Sequence, residues 1–104
     1  MIHIPDQGEV LRHYGGERQS LIAAEELAEL IQAVSKMRRI GSEDVDTLEA
    51  YDNLVEELAD SLIVIHQLQE MYNIFDAEIQ KKIDQKWKRM EARMHDSTGK
   101  LYSG

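Results

Sequence analysis

The sequence predicts an all-α fold on three observations. Apolar residues recur at spacings of three and four over most of the chain, no segment alternates with the period of two that a strand requires, and β-branched residues are scarce. The only proline, Pro5, stands near the start, so nothing breaks the long periodic stretches that follow.

In a leading segment, residues 1–16, Pro5 and Asp6 precede a short helix that runs through His13 and stops at Gly15-Gly16. A first long helix is expected over about residues 17–39, stopping at Gly41, with Lys36, Arg38 and Arg39 placed at its negative C-terminal end. Asp46 with Glu49 three residues later is a variant of the capping box, so a second long helix opens near Thr47 and continues to about Tyr72, closed by Asn73. Asp76 is the expected cap of a third helix over about residues 77–95. The tail, residues 97–104, has few apolar anchors and is expected to be loosely held. With 104 residues the chain is read as one domain with a small core.

Helical faces separate at 100° per residue. On the first long helix Ala23, Ala24, Leu27, Leu30, Ile31 and Val34 make one apolar stripe, and Glu26 and Glu29 lie on a flank shared with Ile22 and Ala33. On the second, Tyr51, Leu54, Leu58, Leu62, Ile65 and Tyr72 make one stripe, and Asn53, Glu57, Asp60, Val64 and Met71 a second. A helix with two such sides needs two packing partners, which three helices in one small chain do not readily supply. The bundle is therefore expected to be completed by oligomerisation, with side chains such as Ile63, Val64 and Met71 covered by a second copy. On the third helix Ile79, Ile83, Trp87, Met90 and Met94 form the apolar stripe, bordered about 90° away by Lys82, Lys86, Arg89 and Arg93. That basic stripe reads either as a solvated cationic face or as a clamp for a polyphosphate.

Composition excludes several classes. Without cysteine there are no disulfides, thiolate metal sites or cysteine nucleophiles. A formal charge of −8 argues against general nucleic-acid binding. The longest strongly apolar run, Leu62-Ile63-Val64-Ile65, is far short of the about 20 residues of a membrane span, so a soluble cytoplasmic protein without membrane or nucleic-acid partners is expected. Charge is also uneven: residues 25–60 hold eleven acidic and three basic residues, whereas six of the twelve Lys and Arg residues fall between Lys81 and Arg93.

The acidic middle contains two near-copies of one signature, Glu25-Glu26-Leu27-Ala28-Glu29 and Glu56-Glu57-Leu58-Ala59-Asp60. Each places carboxylates one helical turn apart, and two such helices packed together pool four or five of them. A single copy is an ordinary exposed helix face; two copies, each flanked by apolar residues, point to a divalent-metal site, because clustered carboxylates resist desolvation unless a cation neutralises them. Oxygen ligands with neither Cys nor His favour Mg²⁺, or Mn²⁺, over zinc or copper.

The pattern Glu-Glu-x-x-Glu, then 27 residues, then Glu-x-x-Asp resembles the signature of the all-α nucleoside triphosphate pyrophosphohydrolases, the MazG-like group that includes the dimeric dUTPases. The likeness covers roughly residues 19–93. It implies a MazG-like helical bundle, dimeric or tetrameric, that hydrolyses a (d)NTP to the monophosphate and pyrophosphate. It also implies Mg²⁺ held by Glu26, Glu29, Glu57 and Asp60, with Glu25 as an accessory carboxylate. Lys86 and Arg89 fit the Lys and Arg that many members carry near the start of the last helix, whereas Asp84 stands where an Asn is usual.

For such a reaction either Glu25 or Glu29 would orient or deprotonate the attacking water, and Lys82, Lys86, Arg89 and Arg93 would hold the phosphates. Gln19 and Asn53, with His13, Tyr14 and Trp87, are the side chains available to read a base, and Trp87 also has a place in an apolar stripe. Two readings of other classes stand beside the enzyme: a non-catalytic helical metal-binding module, and a helical dimerisation module whose acidic faces are merely solvated. A di-iron carboxylate bundle is disfavoured, because neither Glu29 nor Asp60 is the histidine of its Glu-x-x-His motif.

Overall fold

A computed structural model describes residues 1–42 and 45–96, so the expectation of a loose tail lies outside the described residues. Four helices occur among them and no strand: α1 (Gly8–Tyr14), α2 (Gly16–Arg38), α3 (Thr47–Met71) and α4 (Asp76–Met94). They fall into two compact units, Met1–Asn73 with α1, α2 and α3, and a second beginning at Ile74 with α4. No helix among the described residues is long and apolar enough to cross a membrane.

Local chemistry sets each boundary. Gly15 separates α1 from α2 with a φ of 87°, a conformation a Cβ makes costly. The chain leaves α2 through a turn in which the Ser42 hydroxyl donates to the Arg39 carbonyl at 2.7 Å, with Gly41 at a φ of 102°. Asp46 caps α3 by accepting from the Glu49 N–H at 3.0 Å, and Asn73 ends the helix region in a left-handed conformation, φ 53°. At α4 the cap differs from expectation. Phe75 holds the N-cap position, Asp76 is already the first helical residue, and Glu78 reaches back to accept from the Phe75 N–H at 2.8 Å.

In the first unit α2 and α3 pack as an antiparallel hairpin, with α1 against both. On α3 the seam inverts the expected use of the stripes, whereas on α2 Ala23, Leu27 and Leu30 of the expected stripe are drawn toward it. Its buried residues are small or polar: Ala23 at 1% exposure, Ala33, Ala50 at 0%, Ser61 and Val64. Among the described residues no large side chain is fully buried, and Ile31 at 71% and Tyr51 at 61% stand in solvent with Leu58, Ile65 and Tyr72. Thus on α3 the stripe of Glu57 and Val64 packs on α2, whereas in the larger stripe Tyr51, Leu58, Ile65 and Tyr72 are exposed and Leu54 and Leu62 are half-buried. The expectation that Val64 needs a second copy to cover it is therefore corrected: it is buried within the chain, Met71 is half-buried, and Ile63 is exposed. Alanine and serine permit close approach of the two helices, which bulky leucines at the same positions would prevent.

One end of the seam is closed by a chain of three buried glutamines. The Gln7 amide donates to the Pro5 carbonyl at 2.8 Å, which leaves its oxygen to accept from Gln67 at 2.9 Å. Gln67 in turn accepts from Gln19 at 3.1 Å. The Pro5 carbonyl thereby sets the direction of the whole chain, and the Gln7 N–H docks on Glu70 Oε1 at 3.0 Å.

The second unit is α4. Its stripe of Ile79, Ile83, Trp87, Met90 and Met94 runs the length of the helix, and Lys86, Arg89 and Arg93 with Met90 line a recess of about 230 Å³ on its surface.

Candidate metal centre

Midway along the seam, small residues let the two acidic signatures meet. Glu26 from α2 and Glu57 and Asp60 from α3 each direct a carboxylate oxygen to one point, all three within 4.8 Å of one another. Glu26 Oε2 and Glu57 Oε2 are shut off from solvent and accept no hydrogen bond, as is the hydroxyl of Ser61 one residue beyond Asp60. Buried acceptors without donors are costly unless a cation or a proton satisfies them.

Electrostatics carries the same sign. Burial, foremost, raises the pKa of Glu26 above its ordinary 4.5, and the charges of Glu29, Asp60 and Glu57 raise it further. Burial likewise leads in raising Glu57, followed by Glu29 and Asp60. Two carboxyls that resist ionisation, beside others that repel them, form a site a divalent cation would neutralise, and an all-oxygen donor set suits Mg²⁺ or Mn²⁺. The residues present therefore fit such an ion.

The expected site residues separate into groups. Glu26, Glu57 and Asp60 come together directly, while Glu29 adjoins Glu57 closely enough to act on its charge and is exposed. Glu25 is also exposed and lies outside the triad. Asn53 lines a cleft that adjoins the carboxylates, whereas Gln19 is sealed at 4% exposure in the glutamine chain. Lys82, Lys86, Arg89 and Arg93 are exposed along α4.

Sequence reasoning did not single out the rest of that cleft. It has a volume of about 710 Å³, begins at Glu29 and Glu57, and continues past Gln32 and Asn53 to Lys36 and Arg39. A signal was present: Glu29, Gln32, Lys36 and Arg39 follow one another at spacings of three, four and three, one face of a helix.

The described residues are all-α, and they bring Glu26, Glu57 and Asp60 together in a carboxylate cluster of the kind that can hold a metal ion. Compared with protein-family models, with curated proteins and with solved structures, the chain matches none.

Proposed function

We propose that the protein is a Mg²⁺-dependent nucleoside triphosphate pyrophosphohydrolase, converting a (d)NTP and water to the monophosphate and pyrophosphate. The observation that carries this reading is the convergence of Glu26, Glu57 and Asp60 from two acidic signatures, with two buried carboxylate oxygens that lack any donor. Its resemblance to the MazG-like signature adds the reaction. Glu26, Glu57 and Asp60, with Glu29 beside them, would hold the ion, which when bound supplies charge neutralisation for the phosphates and polarises an attacking water.

The chain's own residues do the remainder. Between the two candidates for the base, the proximity of exposed Glu29 to Glu57 supports Glu29 over Glu25. Asn53 offers an amide to the cleft. The α4 cations are the sequence-based candidates for holding phosphate oxygens. The proposed working form is a homo-oligomer, dimer or tetramer, which would cover large side chains that the hairpin exposes, such as Tyr51 and Ile65.

Those same exposed side chains favour a second reading, a helical dimerisation module that holds a metal without turnover. Incubation of a panel of (d)NTPs with Mg²⁺, Mn²⁺ or EDTA separates the two. Pyrophosphate and monophosphate released only with the cation is the expected result. Orthophosphate as the sole product, or no turnover across the panel, removes the enzyme reading.

A further inference from the structure

The cleft beside the carboxylates is electrically polar. Glu29 and Glu57 form one end, Lys36 and Arg39 the other, and the amides of Gln32 and Asn53 lie between. From Glu29, the backbone positions of Lys36 and Arg39 stand about 10 and 15 Å further along the α2 axis. Side chains on a helix lean toward its N-terminus, so the long Lys36 chain leans back toward the carboxylates, while Arg39, at the C-cap, lines the same cleft. The helix end that presents them is pinned, since the Arg39 N–H donates to the Lys36 carbonyl at 3.1 Å and the Arg39 carbonyl receives the Ser42 hydroxyl.

A cation near a helix C-terminus also complements the negative end of the dipole. That role does not select a face. Arg38 serves it equally and sits on the opposite side of α2 from Glu29, outside the cleft. Lys36 and Arg39 are instead in register with Glu29 and Gln32, the arrangement needed to follow one extended ligand.

We infer that Lys36 and Arg39 form a subsite for the outer phosphates of a metal-bound polyphosphate, so that the ligand spans the cleft from the carboxylate end to the cationic end. It deepens the proposed hydrolase reading, on which it rests for the ligand's identity. Without a cation the carboxylate end repels the anion; with one, the phosphate oxygens that the ion leaves uncovered meet an ammonium, a guanidinium and two neutral amides. Inorganic pyrophosphate with Mg²⁺ is the smallest ligand with these features.

Calorimetric titration of the full chain with inorganic pyrophosphate, with and without Mg²⁺, tests the subsite independently of turnover. Wild type should bind only with Mg²⁺. Lys36→Ala and Arg39→Ala should each weaken that binding about tenfold, and the pair about a hundredfold. Lys36→Arg should restore most of the loss, and Arg38→Ala should bind as wild type does. Helical circular dichroism shows which variants remain folded. Loss of binding in the pair, even in a protein that turns over no triphosphate, supports the subsite while the hydrolase reading fails. Pyrophosphate affinity within twofold of wild type in the folded double variant, or no binding by wild type, overturns the subsite whatever the turnover.

Discussion

The two sides of the α2–α3 hairpin are opposites. One presents Glu29, Asp60 and the cleft that leads to Lys36 and Arg39; the other presents Val34, Tyr51, Leu58 and Ile65 to solvent. Ordinarily a helical pair buries its large apolar residues in its own seam and exposes its charges. Here the seam is given to alanine, serine and glutamine, and two glutamates are drawn partly into it. Close approach of the backbones brings the acidic signatures together, and the displaced bulk is left for another surface to cover. A site of clustered like charges thus appears on one side and an exposed apolar face on the other as two consequences of one packing choice.

The comparison breaks most severely at the carboxylates. Glu57→Ala or Asp60→Ala should lower kcat by more than the roughly 10–100-fold typical of residues that merely support metal ligands, with helix content unchanged. Triphosphate turnover at wild-type rate in either variant would make the acidic side an ordinary solvated face. On the opposite side, Tyr51→Glu with Ile65→Glu should split the proposed oligomer, because each large apolar side chain returned to water forfeits about 1.5–3 kcal/mol. Sedimentation would then give a mass near 12.0 kDa for the double variant and a multiple of it for wild type. A wild-type mass already near 12.0 kDa at micromolar concentration would remove the second copy from the account.

The seam itself links the two sides. Ala50→Leu should cost about 1–3 kcal/mol through overpacking and, by pushing the helices apart, should also weaken Mg²⁺ binding. A variant that loses stability but keeps its metal affinity would show that the cluster does not depend on close packing.

A smaller effect is expected from pH. Glu26 and Glu57 have pKa values raised in the folded protein, so the stability their protonation contributes is complete below the ordinary 4.5 and is lost as pH rises through the raised values. In metal-free protein Glu57→Gln should therefore melt higher than wild type near neutral pH, with the advantage shrinking toward about pH 4.5. Added Mg²⁺ should raise the wild-type melting temperature near neutral pH. An advantage that is the same at all pH values would show that relief of charge is not its source.

The order of elements was legible in the chain because its determinants are local. Periodicity, the Asp46 cap and the stops at Gly15 and Asn73 act within a turn or two of themselves, and the two acidic signatures marked Glu26, Glu57 and Asp60 without any knowledge of packing. The displacement of the cap from Asp76 to Phe75 is the kind of single-residue ambiguity that two neighbouring candidates for one role produce. What periodicity cannot specify is which of two apolar stripes faces the partner helix. The bulkier stripe would bury more area within the chain, but the smaller one permits the shorter distance between helices, and only the packed structure resolves that competition. The same holds for the cleft. Glu29, Gln32, Lys36 and Arg39 share a face of α2 by spacing alone, yet their meeting with Asn53 and Glu57 required the antiparallel placement of α3, a long-range arrangement that no local pattern encodes.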